Sequence, residues 1–249
     1  MKPAVLITGS GRRIGAVLAR AFGEAGWHVV IHHGASREEA RQLASELPSA
    51  DCVACDLADV DATVAMAGEL AARLDDWRVL INCAAVFKVD TFDSLDHAVF
   101  IEAMAVNAEA PVRLTHAFLD QARSIGGRRV INFLDMKLLN PNPDFFSYTM
   151  SKHALASAVK MMAMASPDPC DRIYGLAPGA IMASHDQRPE EHEISGRMNL
   201  LQRITEPREM AEAALFLAQG WLASGETLFL DSGQHLLSQP RDVLYLARQ

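Results

Sequence analysis

Tyr148-Thr149-Met150-Ser151-Lys152 sets a phenol and an ammonium group four residues apart. On a helix this spacing puts both side chains on one face. A cation beside a phenol favours the phenolate, so Lys152 is expected to lower the pKa of Tyr148, as acid–base work near neutral pH requires. The pattern alone is common by chance. A second motif gives it context: Thr8-Gly9-Ser10-Gly11-Arg12-Arg13-Ile14-Gly15 joins a strand-like run to an Ala-rich helical run. Glycines there let the backbone approach a pyrophosphate, and the following helix N-terminus offers free N–H groups and partial positive charge. The alternative is an ordinary tight strand-to-helix turn.

The next strand-like run indicates which dinucleotide would fit. NAD sites end that strand with a carboxylate that accepts from the adenosine ribose hydroxyls. Here the chain reads Val29-Val30-Ile31-His32-His33-Gly34-Ala35-Ser36-Arg37, without one. Arg12, Arg13 and Ser36, with Arg37 or His32, are instead suited to a 2′-phosphate. The expected cofactor is therefore NADP(H) rather than NAD(H). Asp56, after the third strand, is placed to accept from an adenine amino group, or else serves as a turn or cap residue.

The elements that must position these groups alternate along the chain. Short Val- and Ile-rich runs are expected as strands at 4–8, 27–32, 51–55, 79–83, 128–134, 172–177 and 227–230. Segments of helical period are expected as helices at 13–25, 37–47, 61–74, 95–106, 111–124, 148–165 and 207–218. Continuous apolar strands between helices imply a sheet covered on both faces and hence mostly parallel. Right-handed crossovers then give a doubly wound α/β fold, a seven-stranded Rossmann-type sheet. No linker divides it, so residues 1–249 are expected to form one domain.

Composition narrows the function. A net charge of -8 with no run of Lys or Arg argues against nucleic acid or an anionic membrane as partner. No apolar stretch reaches the ~20 residues that span a bilayer. No signal peptide is visible, which suggests a cytoplasmic protein. Cys52 and Cys55 form one C-x-x-C without the second ligand pair of a zinc site. The expectation is four reduced, packed thiols and no metal. The polar stretch 184–193 reads as part of a mobile lid or as a plain solvated loop, with His185 and His192 exposed.

At this point the chain resembles the short-chain dehydrogenase/reductase family over essentially its whole length. The matching elements occur in family order: the 8–15 turn, Asp56-Leu57, Asn82-Cys83-Ala84-Ala85, Asn107 in VNAEAP, Tyr148 with Lys152, Pro178-Gly179 and the stretch 224–236. Within the family it looks most like pteridine and dihydromonapterin reductases. Arg13 stands where most members have a third glycine, and Asp135 where most have a catalytic serine, thirteen residues before Tyr148. The resemblance implies that Tyr148 donates a proton, that Lys152 holds the nicotinamide ribose, and that Asn107 supports a water chain to Lys152. It further implies that Asn82 and Ala84 line the cofactor path and Pro178-Gly179 its nicotinamide end. Arg13, Phe87, Asp135 and Tyr148 would face substrate.

Asp135 narrows the chemistry. A serine hydroxyl donates to a carbonyl oxygen on which charge develops, whereas an ionised Asp only accepts. An Asp suits a substrate with N–H donors, or one reduced at C=N, where nitrogen needs a proton. A raised pKa would let its acid form donate. The expected function is NADPH-dependent reduction of a small heterocycle, a pterin or dihydropterin. The alternatives are a carbonyl reductase or alcohol dehydrogenase of the same family, and a non-catalytic dinucleotide-binding protein. Some positions depart from the pterin pattern: Ala84 and Val86 replace a serine and a stacking aromatic, with Phe87 one residue late, and Tyr174 replaces an Asn of the sixth strand. The resemblance also implies a homodimer or homotetramer, and the apolar tail at 240–249 is expected to dock on a neighbouring subunit.

Overall fold

The structure, a computed structural model, describes residues 2–166, 168–184 and 186–249. The chain runs β1 (Ala4–Ile7), α1 (Arg13–Glu24), β2 (His28–His33), α2 (Arg37–Glu46), β3 (Ala50–Ala54), α3 (Val60–Arg73) and β4 (Trp77–Asn82). It continues through α4 (His97–Met104), a π-helical segment (Ala105–Glu109), α5 (Ala110–Gln121), β5 (Arg129–Phe133) and α6 (Phe146–Ala165). It ends with β6 (Arg172–Pro178), α7 (Pro189–Ser195), α8 (Pro207–Ala218), β7 (Thr227–Leu230) and α9 (Val243–Leu246). Most boundaries lie within one or two residues of the expected ones.

All seven strands pair in parallel, in the order β3-β2-β1-β4-β5-β6-β7. Side chains of a strand alternate between faces, so the apolar runs build two cores. Val5, Ile7, Val29, Ile31, Val79 and Ile81 pack on one face with residues of α1 and α8. Leu6, Val30, Leu80, Val130 and Ile173 pack on the other with residues of α3 and α5. Burying each such side chain stabilises by about 1.5–3 kcal/mol, which explains why the strands tolerate no polar alternation. Tyr174 belongs to the first core: it is fully buried, and its hydroxyl donates to the Leu222 carbonyl at 2.7 Å.

The strand order reverses between β2 and β4, on either side of β1, and open parallel sheets bind ligands beyond such a reversal. Thr8 welds this point together. Its Oγ1 accepts the N–H groups of Cys83 and Ala84, both at 3.0 Å, joining the turn after β1 to the turn after β4.

Several expectations need correction. The helices expected at 95–106 and 111–124 form one continuous run, joined by the π segment. Pro111 has no N–H, so the Asn107 carbonyl has no α-helical partner, and a wider turn accommodates the interruption. The stretch 184–193 contains the start of α7, opened by Pro189, Glu190 and the Glu191 carboxylate, which accepts from the Arg188 N–H and guanidinium Nε. His192 on that helix is half-buried, not exposed, and His185 lies outside the described residues. Finally, the tail docks on its own chain: Val243 and Leu244 are buried, and Leu244 packs with Phe145 and Tyr148. The four cysteines are unpaired, and Cys170 is exposed rather than packed.

Candidate active site

The turn after β1 folds around close backbone contacts. Gly9 has φ +66°, and a Cβ on it would lie 2.9 Å from the Ala84 Cα. Arg13 also adopts a left-handed φ of 55°, a conformation that favours glycine and costs other residues roughly 1–2 kcal/mol. Its guanidinium Nη2 donates to the Ala183 carbonyl at 2.8 Å, tying the turn to the loop after β6. Behind the turn lies a cleft of about 630 Å³, bordered by Gly9, Arg12, Arg13 and Ser36 at one end and by Tyr148, Lys152 and Pro178 at the other. Gly11, Ile14 and Gly15 belong to the same turn, and Ile14, Gly15 and Ala84 line the cleft. A neighbouring recess holds Asp56, Leu57 and Gly34. One Asp56 oxygen accepts from the Ala58 N–H, as a turn residue does, while the carboxylate stays exposed at the recess.

Strand β5 and helix α6 deliver the acid–base groups. Phe145 precedes α6 with φ 54°, held by a stack on Phe87 at 4.0 Å between ring centroids. The buried Asp90 carboxylate accepts from the Ser147 N–H and hydroxyl, and so caps the helix from a separate loop. Tyr148, the next residue, and Lys152, one turn further on, line the cleft. The Tyr148 hydroxyl donates to Asp135 Oδ2 at 2.9 Å, and the Lys137 N–H donates to Asp135 Oδ1 at 2.8 Å. The Lys152 ammonium donates to the Phe133 carbonyl at 2.6 Å.

Burial governs how these groups titrate. Desolvation pushes the Asp135 carboxyl up, against the pull of Lys137 and the Tyr148 hydrogen bond. Burial and then the Asp135 charge hold the Tyr148 phenol well above its ordinary range. This reverses the expectation that Lys152 lowers it: the nearest charge to the phenol is a carboxylate, and the ammonium is turned toward a carbonyl. Desolvation also brings Lys152 down to about 8.

Two other residues take places different from those expected, and the side chain of a third is held within the protein. His32 is not a phosphate ligand. It is buried, its Nδ1 accepts the Gly9 N–H at 3.1 Å, and its Nε2 lies 3.1 Å from the Cys55 carbonyl, to which it donates. Desolvation lowers its pKa to about 4, so it carries no charge for an anion. Asn82 does not line the cofactor path; its amide donates inside the protein to Asn132 Oδ1 and Thr115 Oγ1. The Asn107 amide is fully engaged. Its Oδ1 accepts the Val86 N–H, and its Nδ2 donates to the Val86 carbonyl and to Ser151 Oγ. Its side chain therefore clamps the loop before Phe87, and only its backbone carbonyl is left for a water.

A smaller cavity of about 210 Å³ opens beside Tyr148 and Asp135, with Phe87, Pro178, Gly179 and Arg13 in its walls. Phe87 stands edge-on to the Tyr148 ring at 4.7 Å. Lys137, Asp242 and Gln187 complete it, and none of the three was expected. Lys137 follows Asp135 by two residues, which was the one available signal. Asp242 is about a hundred residues away along the chain. Among the described residues no cluster of His, Cys, Asp or Glu is arranged to hold a metal, and no helix is long and apolar enough to cross a membrane.

A family model described as enoyl-(acyl carrier protein) reductase matches residues 9–235. An oxidoreductase from Mycobacterium tuberculosis, described as uncharacterized, is 30% identical over 240 residues, covering 92% of this chain and 90% of that protein. The chain belongs to the short-chain dehydrogenase/reductase family. It is therefore an oxidoreductase by descent. The family relatives differ in what their names say they act on. A 7alpha-hydroxysteroid dehydrogenase from Escherichia coli is 28% identical over 238 residues, 92% of each chain. A solved structure of FolM alternative dihydrofolate reductase 1 from Brucella canis, complexed with NADP, superposes with a TM-score of 0.89 at 31% identity, covering 96% of both chains. Against this short-chain reductase background, the Tyr148–Asp135 contact is the feature that bears on substrate.

Proposed function

We propose that the protein is an NADPH-dependent reductase of a pterin or dihydropterin. The observation that carries the reading is the hydrogen bond from Tyr148 to Asp135, which puts a phenol and a carboxyl of raised pKa on one side of the cavity. The likeness to the NADP-complexed Brucella FolM structure supports it. The larger cleft fits NADP(H): β2 ends at His33, with Gly34, Ala35 and Ser36 beyond it, so no carboxylate faces the arginines. Arg12 and Ser36 would hold the 2′-phosphate, the 8–15 turn the pyrophosphate, and Lys152 with Pro178-Gly179 the nicotinamide end, while the Arg13 guanidinium, bonded to the Ala183 carbonyl, lies in the wall of the smaller cavity. When bound, NADPH supplies the hydride.

The chain's own residues supply the proton and the orientation. Reducing C=N adds hydride to carbon and a proton to nitrogen. Asp135 in its acid form can donate to a ring nitrogen, and ionised Asp135 can accept from the substrate's N–H groups while Tyr148 keeps its proton. Phe87 and the backbone loop clamped by Asn107 shape the cavity wall, and buried Leu244 and Val243 help exclude water from it. The reading covers residues 1–249 as one catalytic domain. Exposed Met161 and Met164 on α6, with Ile101 on α4, support assembly into a homodimer or homotetramer, which light scattering checks.

The names of curated relatives such as the hydroxysteroid dehydrogenase favour a second reading, a carbonyl reductase or alcohol dehydrogenase. NADPH oxidation measured with dihydropterins, quinonoid pterins and simple ketones separates the two. Turnover confined to the pterins is expected. Turnover confined to ketones would establish the second reading, and none with any substrate would favour a non-catalytic role.

A further inference from the structure

Residues 240–249 cross the rim of the smaller cavity and tie its parts together. Arg241 donates to both oxygens of the buried Asp144 carboxylate, and the Asp242 N–H donates to Asp144 Oδ2 at 2.8 Å. Asp242 Oδ1 caps α9 by accepting from the Leu244 N–H, and Oδ2 meets the Lys137 ammonium at 2.5 Å. Lys137 is nearly fully buried. Its ammonium also donates to the Asp144 carbonyl and lies 5.1 Å from the centre of the Phe145 ring. Tyr245 stacks on the other side of Phe145, the residue that starts the helix carrying Tyr148. Further along, Arg248 reaches Glu191 on α7 and the Asp186 carbonyl.

We infer that Lys137 and Asp242 are positioning residues for proton transfer, a buried ion pair through which the C-terminal tail sets the protonation of Asp135. The inference rests on the reading of Asp135 as the proton donor and deepens it. A buried cation and a buried anion side by side are costly to desolvate, and replacing them with apolar groups is often neutral or stabilising. Their presence in the wall of the cavity, rather than elsewhere, therefore calls for a use. The geometry supplies one. Lys137 holds Asp135 Oδ1 through its backbone N–H and presents its charge nearby, while Asp242 partly cancels that charge.

The charged and titratable groups around Asp135 come from every side of the cavity: Lys137 from the turn after β5, Tyr148 and Lys152 from α6 and Asp242 from the tail, while Arg13, bonded to the Ala183 carbonyl, lines the cavity from the turn before α1. Burial is the largest influence and raises the Asp135 carboxyl; Lys137 lowers it and Asp242 raises it. The two partners therefore pull in opposite directions. The opposition follows from the signs of the two charges, and it reaches Asp135 because the pair lies in the wall of the same cavity.

The test uses Lys137→Met, Asp242→Asn and the double variant in the full-length protein. In the pH dependence of NADPH oxidation with a dihydropterin, Lys137→Met should move the limb assigned to Asp135 toward alkaline pH. Asp242→Asn should move it toward acid. Each shift should be about one pH unit, the lower end of what a close charge produces, and the double variant should return near the parent. NMR of isotope-labelled aspartate carboxyls, assigned with Asp135→Asn, reads the same shifts in cofactor-free protein. Opposed shifts by NMR uphold the pair's control of Asp135 protonation; if no dihydropterin is turned over, it is the reductase reading that fails, and with it only the use of that control in proton transfer. Shifts in one direction, or none, overturn the inference while leaving that reading intact. The double variant, with no unpaired buried charge, keeps the comparison available if Lys137→Met folds poorly.

Discussion

The Nδ1 atom of His32 accepts the Gly9 N–H at 3.1 Å, so the end of strand β2 holds the glycine turn that follows β1. The ring's other nitrogen must then carry the proton and donate to the Cys55 carbonyl at the end of β3. One neutral side chain fixes three loops around the dinucleotide cleft.

The folded-state pKa of His32, about 4, lies below its ordinary 6.5 because burial disfavours the charged form. The unfolded chain thus binds more protons between those values. The stability this group contributes is fully present above pH 6.5 and is lost as pH falls toward 4, on the order of 3 kcal/mol in all. His32→Phe leaves the Gly9 N–H and the Cys55 carbonyl without partners. It should cost about 1–3 kcal/mol for each at pH 7 and weaken NADPH binding. It should also flatten the acid side of the stability profile. Urea unfolding at pH 7 and pH 5 checks both; a variant as acid-sensitive as the parent contradicts the assignment.

Asp135→Ser and Asp135→Ala should both slow turnover of a dihydropterin. A positioned general acid contributes roughly 10²–10⁴-fold, so a loss of that size in kcat is expected. The sign of the pH effect follows from the raised pKa of the carboxyl. The acid form is the donor, so the parent's rate should fall as pH rises through that pKa, and Asp135→Asn should lose this limb. Steady-state kinetics across pH decide the matter, and unchanged kinetics for all three variants would remove Asp135 from the chemistry.

Much of the fold was legible because buried parallel strands read as unbroken apolar runs, as in Val5-Leu6-Ile7 and Val79-Leu80-Ile81. The motif residues were legible because glycine turns and Tyr-x-x-x-Lys are local in sequence. What stayed hidden depends on packing. His32 and Asn82 are polar residues at strand ends, and only the fold shows that their side chains point inward to bond backbone or amide partners. Asp242 reaches Lys137 only because the tail folds back across the cavity. Helix α7 was masked by a run of charged residues with little apolar period, although Pro189 followed by two glutamates is a helix start signal. The Tyr148 pKa was misjudged because spacing alone shows the cation one turn away and not the carboxylate across the cleft.

Arg12 is exposed beside Ser36 at the open end of the cleft, with no ion pair among the described residues. If it holds a 2′-phosphate, Arg12→Ala removes a charge-assisted hydrogen bond worth about 1.5–3 kcal/mol. The NADPH dissociation constant should rise roughly tenfold to a hundredfold, while that for NADH barely moves. Fluorescence titration with both cofactors provides the comparison. Equal weakening of both would locate Arg12 elsewhere than at the phosphate.

Lys152 offers a test that separates its chemistry from its contribution to stability. Its ammonium is buried, donates to the Phe133 carbonyl and is brought down to about 8 by desolvation. The folded protein therefore releases this proton earlier than the unfolded chain does. Between pH 8 and about 10.4, the ordinary lysine value, the unfolded state binds more protons, so this group makes stability rise with pH across that window. Lys152→Met removes the desolvated charge together with that dependence. At pH 7 the variant should hold its melting temperature close to the parent's, because relief of the buried charge offsets the lost hydrogen bond to Phe133. At pH 10 the parent should be the more stable of the two. Turnover should fall at least a hundredfold at both values, as expected when a group that supports proton transfer is lost. Calorimetry at the two pH values, paired with turnover, checks the prediction. A variant whose stability tracks the parent's at both would mean that Lys152 keeps its full charge in the fold.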